Sequence, residues 1–207
     1  MANKKNNLLD KEYTYYHWGP LLFKTKIEPS DLRKLRKLCD EATEDWSENL
    51  AGLIKTENLI NNSKFIEIIK PYIDVYHHAY QNWYGLKITS LDCVAAWVNY
   101  MKKGESNPSH IHHNCHLSSV LVIDVPPKLK EEQKAWKGTG DGPGALHFLT
   151  GNPQNFHTNS FGFRPEIGDF FIFPWNVTHS VSSYKSNVTR ITIAANFSIT
   201  TPQNDKK

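Results

Sequence analysis

Downstream of Ser30 the apolar residues recur first at helical and then at strand spacing, and the change of period splits the chain in two. Leu32, Leu35, Leu38, Cys39, Ala42 and Trp46 recur at helical spacing. With Ser30 as N-cap they predict an amphipathic helix. A second stripe, Phe65, Ile68, Ile69, Tyr72, Ile73, Tyr76, Tyr80 and Trp83, predicts a longer helix from near Ser63. Pro71 is expected to kink or restart it, and Gly85 to stop it. Upstream, the run from Pro20 to Ile27 ends in the alternation of a strand.

Beyond Gly85 the pattern changes to short β-rich runs separated by Gly, Pro, Asn and Ser. The predicted strands are Ser90 to Lys102, His116 to Val125, Gly144 to Leu149, Asp169 to Pro174, Thr178 to Ser182 and Arg190 to Ile199. Helices followed by many strands with turn signals predict a helical layer on an antiparallel sandwich or barrel. Pro126 to Pro143 is polar and glycine-bearing and reads as a mobile loop or insertion, and Asn152 to Pro165 as a second loop over the barrel. Residues 1–10 and 201–207 read as frayed polar tails.

A length of 207 residues suits a single domain, with a strand and helices over 11–85 and a β core over 86–200. Hydrophobic residues at 39% and charged residues at 22% are globular rather than disordered values. The net charge of +3 is small, and the lysines lie in the tails and predicted helices, so there is no nucleic-acid signal. Cys39, Cys93 and Cys115 are odd in number and match no zinc spacing, which suits a reducing cytoplasm. Met1 to Asp10 has no apolar core of a secretion signal, and no apolar run approaches bilayer length, so no membrane signal is read. Oligomeric state is not readable from the chain.

Four of the ten histidines fall between His110 and His116. On a strand, His110 and His112 share a face, and His113 turns away. His116 has the parity of the pair but lies further along, and is expected to be a buried histidine behind the site. His179 follows the Phe170-Phe171-Ile172-Phe173-Pro174 strand and a turn. Three imidazoles from two strands can cap one face of a metal and leave positions open to substrate and dioxygen, as in non-haem iron oxygenases. Arg190, Thr192 and Ala194 alternate with Ile191, Ile193 and Ala195. An arginine on such a strand needs an anion if buried. A ligand carboxylate, with Thr192 adding a bond, and a protein Asp or Glu both meet that need.

In order and spacing, Trp97-Val98-Asn99-Tyr100, Gly104, His110-x-His112, Leu117-Ser118-Ser119-Val120, Gly168 to Pro174, His179 and Arg190-Ile191-Thr192-Ile193 resemble the iron(II)/2-oxoglutarate dioxygenases. Within that superfamily they are most similar to the small prolyl-hydroxylase-like oxygenases of bacteria and of phages of marine bacteria. The resemblance covers Ala95 to Ile199. It implies a mainly β fold with α elements, namely a double-stranded β-helix (jelly-roll, cupin-like) barrel with the N-terminal helices on one outer face. By it, His110 and His179 bind Fe(II), Arg190 clasps the distal carboxylate of the cosubstrate 2-oxoglutarate, and Tyr100 and Thr192 hydrogen-bond the same molecule. The loops 126–143 and 152–165 become the lid and the substrate selector.

The departure is at position 112, where the family pattern has a carboxylate and this chain has histidine. His112 is then either the third ligand, on a site one unit more positive, or a neighbour beside an open position. The implied activity is hydroxylation of a peptidyl or small-molecule amino acid or related substrate, with ascorbate as supporting reductant. Two other readings stand beside it. A three-histidine cupin-type metalloenzyme without 2-oxoglutarate leaves Arg190 and Thr192 without a task. A non-enzymatic jelly-roll binding module needs incidental histidines or a structural zinc, for which only Cys115 is near.

Overall fold

The computed structural model describes residues 19–50, 53–152 and 158–202, with the backbone of two short strands before them. Of those strands, β1 (Asn6–Leu8) falls where the sequence predicts a frayed tail, and it pairs antiparallel with β2 (Lys11–Tyr13) just beyond that tail. The other parts of the predicted tails, 1–5, 9–10 and 203–207, lie outside the described residues. The chain continues as β3 (Phe23–Lys26), α1 (Pro29–Glu41), β4 (Glu44–Asp45), β5 (Glu57–Leu59) and α2 (Asn62–Tyr84). Then come β6 (Ser90–Met101), β7 (Asn107–His110), β8 (Leu117–Asp124), α3 (Pro127–Ala135), β9 (Leu146–Leu149) and β10 (Ser160–Phe163). The last strands are β11 (Asp169–Pro174), β12 (Thr178–Val181) and β13 (Arg190–Thr200).

Both predicted helices form, with shifted starts. Pro29 opens α1 and Glu28 takes the cap position instead of Ser30, because the fixed φ of proline suits a first helical turn. Trp46 falls beyond the end of α1, not on it. Asn61 caps α2 by accepting the Lys64 N–H at 3.0 Å. The helix passes through Pro71 without restarting; Pro71 is exposed, so the carbonyl it leaves unbonded faces water. Gly85 ends it at φ +70°, a left-handed conformation that costs glycine little.

The strands form a seven-stranded sheet, β3-β11-β8-β13-β6-β5-β4, and a four-stranded sheet, β10-β9-β12-β7. Among the described residues no strand pairing joins the two, so they are layers with open edges rather than the closed barrel of the sequence reading. β13 is central, with β6 and β8 on either side, and its alternation sorts two cores. Ile191, Ile193, Ala195 and Phe197 meet the apolar stripes of the helices, Leu35 and Cys39 of α1 and Phe65, Ile69 and Tyr76 of α2. Burying each large side chain there contributes about 1.5–3 kcal/mol. On the other face of the large sheet, Val120, Val122, Phe171 and Phe173 pack against Leu146, Phe148 and Val181 of the small one. Phe148 lies 4.9 Å from Phe173 and 5.8 Å from Phe171, centroid to centroid, and locks the layers together.

The polar stretch 126–143 is not a mobile loop at its start. It carries α3, whose Leu129 and Gln133 are buried. The Gln133 amide donates to Pro143 O at 3.0 Å, and the Glu132 carboxylate accepts the N–H groups of Lys185 and Ser186. One buried leucine and one buried glutamine are too sparse a stripe to read as a helix. The expected loop 152–165 includes β10, and its residues 153–157 lie outside the described residues. Among the described residues no helix is long and apolar enough to cross a membrane.

Candidate metal centre

β7 and β12 are neighbours in the small sheet, and their register sets His179 directly opposite His110. β7 stops at His110, and His112 stands two residues beyond it, its N–H donating to Trp175 O at 3.0 Å. His110 and His112 thus converge as strand parity predicts, although the strand itself is over. Asn114 then takes φ +58°, a left-handed turn that Asn tolerates better than most residues, before β8 begins. One ring nitrogen from each of His110, His112 and His179 lies within 4.8 Å of the other two. The rings of His110 and His179 are 4.2 Å apart, and those of His112 and His179 are 5.0 Å apart and stacked.

Local hydrogen bonds aim these nitrogens. His110 Nδ1 sits 2.7 Å from Pro108 O, and His179 Nδ1 sits 3.1 Å from Val177 O. A carbonyl only accepts, so each Nδ1 carries the proton and each Nε2 presents its lone pair. His112 Nε2 lies 3.2 Å from His179 Nε2, at the same focus. The donors are all uncharged and borderline in softness, a set that suits Fe(II) as well as other first-row divalent metals.

Burial, and then the neighbouring imidazoles, push His179 down to about 3 and His112 to about 4 from the usual 6.5. Burial also lowers His110, against the bond to Pro108. His112 and His179 therefore stay neutral well below pH 7. In acid the unfolded chain binds protons on these rings that the folded chain does not, so stability falls as pH drops from about 6.5 toward 4 and 3. Near pH 5, His179 alone accounts for about 2 kcal/mol of this loss in the metal-free protein. Thermal melts at about pH 7.5 and pH 5 test this, and a flat profile would contradict it.

The histidines open on a cavity of about 580 Å³, which is also lined by Arg190, Thr192, Ala194 and Asn196 of β13. Arg190 is 2% exposed, and among the described residues its Nε and Nη2 have no hydrogen-bond partner. Burial alone lowers it to about 10, against support from Tyr184, so it remains a cation. Of the two partners left open by the sequence, a protein carboxylate is not there among the described residues. Thr192 Oγ1 lies 3.4 Å from the Asn99 amide nitrogen, which donates to it.

Tyr100 needs correction. It belongs to the opposite face of β6, where its hydroxyl donates to Cys39 O at 2.7 Å and its ring packs with the helices. Asn99, one residue away, lines the cavity in its place, because successive strand residues point to opposite faces. His116 is also corrected. It is exposed, and its Nδ1 accepts the Ile199 N–H at 3.0 Å, away from the triad. His113 is exposed and stands 6.1 Å from the Trp175 ring, outside the triad, although it still borders the cavity that the sequence reading turned it away from. Sequence reasoning passed over Trp46, Glu57, Trp97 and Asn99 as cavity residues. Only the parity of Trp97 and Asn99 could have flagged any of them.

A family model described as "Putative 2OG-Fe(II) oxygenase" matches residues 95–196. Among solved structures the chain is similar to an oxidoreductase of the 2OG-Fe(II) oxygenase family from Burkholderia pseudomallei, at 12% identity and a TM-score of 0.59, covering 87% of this chain and 84% of that one. It is also similar to a Pseudomonas putida prolyl-4-hydroxylase, at 14% identity and a TM-score of 0.55, covering 86% and 91%. A Trichoplax adhaerens prolyl hydroxylase in complex with a hypoxia-inducible-factor peptide fragment aligns at 11% identity and a TM-score of 0.55, covering 86% and 83%. No curated protein sequence matches.

Proposed function

Because this chain belongs to the Fe(II)/2-oxoglutarate-dependent oxygenases, enzymes that use Fe(II) and 2-oxoglutarate, we propose that His110, His112 and His179 hold its iron and that Arg190 holds its cosubstrate. The observation that carries this reading is the pairing, in one cavity, of three converging neutral imidazoles with a buried arginine that has no protein anion among the described residues. 2-Oxoglutarate is a dianion, and its far carboxylate supplies the two acceptors that a guanidinium fork needs. Thr192 adds a hydroxyl on the same strand face. Iron and 2-oxoglutarate, when bound, would activate dioxygen for hydroxylation of a C–H bond, one oxygen atom going to the substrate and the other to succinate as 2-oxoglutarate loses carbon dioxide. The chain's own part is to fix the imidazoles through Pro108 and Val177, to orient the cosubstrate and to keep bulk water from the cavity.

The two sheets, with helices outside the larger one, are consistent with a double-stranded β-helix, and we read residues 1–207 as one such domain. The substrate class is a peptidyl or small-molecule amino acid or a related compound, in line with the prolyl hydroxylases among the structural relatives. Three unpaired thiols, Cys39, Cys93 and Cys115, together with an Fe(II) requirement, favour a reducing cytoplasm. The test is succinate release from 2-oxoglutarate with Fe(II) and ascorbate, without added substrate. Release above the protein-free background, with 2-oxoglutarate raising the melting temperature, is expected. Metal binding with no response to 2-oxoglutarate would turn the reading to a three-histidine cupin-type enzyme. Indifference to metal and chelator would leave a binding module.

A further inference from the structure

We propose that the end of the cavity built around Glu57 is a subsite for a cationic nitrogen of the substrate, an ammonium or guanidinium group, and that Glu57 selects for it. This rests on the reading of the cavity as the place where substrate meets the iron. Glu57, Asn99 and Thr192 stand in one row across β5, β6 and β13, since Glu57 pairs with Asn99 and Asn99 with Thr192. All three line the cavity and are at least nine-tenths buried. Glu57 is only 1% exposed, yet its Oε2 has no hydrogen-bond partner among the described residues. The Asn99 amide spends its nitrogen on Thr192, and its Oδ1 is likewise without a partner. The row therefore presents two buried acceptors, with the Thr192 hydroxyl hydrogen as its one uncommitted donor, so a ligand bringing N–H or O–H groups would satisfy what the row leaves open.

Charge and shape narrow the choice to a cation. The lining includes the carboxylates Glu48 and Glu57, no lysine, and Arg190 as its one Lys/Arg side chain among the described residues. With Arg190 matched to 2-oxoglutarate, the remaining fixed charge is acidic. Trp46 and Trp97 also face this cavity and offer aromatic surfaces that favour cations. Trp46 is tied to the same strand, its N–H donating to Glu57 O at 2.8 Å. The nearby Glu105 behaves differently. Its carboxylate accepts the Lys102 and Lys55 N–H groups at 2.8 and 3.4 Å and so serves as a turn brace. Burial, then Glu105 and Asp45, push Glu57 up to about 7 in the empty cavity, a strain that an arriving cation would relieve.

The probe set is butylammonium and butylguanidinium, with butanol and butyrate as neutral and anionic matches. Binding is read as quenching of tryptophan emission in the full chain under argon, with and without Fe(II) and 2-oxoglutarate. Saturable binding of both cations is expected, with butanol at least ten-fold weaker and, once 2-oxoglutarate occupies Arg190, butyrate likewise. Glu57→Gln should weaken the cations at least ten-fold, and Glu57→Asp should keep part of the affinity. Glu57→Gln should also melt no lower than the natural chain near pH 8, which shows that it folds. Equal binding of butanol and butylammonium, or undiminished cation binding by Glu57→Gln, overturns the proposal. Because no turnover is involved, these results stand apart from succinate release, and either can fail alone.

Discussion

Replacing Arg190 with glutamine is expected to stabilise the ligand-free protein while nearly abolishing its 2-oxoglutarate turnover. A guanidinium that is 2% exposed and, among the described residues, lacks partners on Nε and Nη2 is held at a cost in the folded chain. Removing such a charge returns up to roughly 1–4 kcal/mol, by analogy with buried ion pairs replaced by well-packed apolar residues. For a chain of this size that is a rise in melting temperature of roughly 2–4 °C for each kcal/mol. The cosubstrate loses the fork that pairs its carboxylate, and truncating one partner of a buried charge pair costs roughly 2–5 kcal/mol. The KM for 2-oxoglutarate should therefore rise by roughly thirty-fold to several-thousand-fold. Calorimetry and succinate release against 2-oxoglutarate concentration check the two halves. A fall in stability would mean that Arg190 supports the fold, and the pairing with 2-oxoglutarate would lose its main support.

The second large effect is expected at His112, the position where a carboxylate is usual in the family pattern. If it is a ligand, His112→Ala leaves two imidazoles and should weaken Fe(II) binding by at least about a hundred-fold, more than the loss of an orienting neighbour alone. His112→Asp restores a ligating atom and brings the negative charge that the all-histidine site lacks, so Fe(II) affinity should stay within about ten-fold or tighten. Metal titration of both variants, followed by succinate release, separates the cases. Equal Fe(II) affinity in His112→Ala and the natural chain would make His112 a neighbour beside an open position.

Much of the site could be read in the chain because His110, His179 and Arg190 lie on strands, and His112 keeps their parity just past the end of one. The alternation through Arg190, Thr192 and Ala194 on β13 faces the cavity, and Ile191, Ile193 and Ala195 face the helices, as period-two patterning requires. On β6 the same logic failed by one residue. Trp97, Asn99 and Met101 line the cavity while Val98 and Tyr100 face the helices, so both faces carry apolar side chains and the pattern does not say which is which. Glu57 was hidden more deeply. It sits on a three-residue strand in what reads as an inter-helix connection, and an acid there is ordinarily a solvated one.

By itself the sequence determined the helices of the first half, the run of strands in the second, and the grouping of His110, His112, His179 and Arg190 as chemistry in need of a metal and an anion. These follow from local periodicity and from the cost of burying such residues. Only the tertiary structure decided that the sheets stay separate, that His179 lies opposite His110, that Tyr100 belongs to the helix side, and that Glu57 and Asn99 enter the cavity. The physical reason is range. Strand pairing joins residues far apart in the chain, such as Thr192 with Asn99 and Asn99 with Glu57, and which polar group ends up without a partner depends on every layer packed around it.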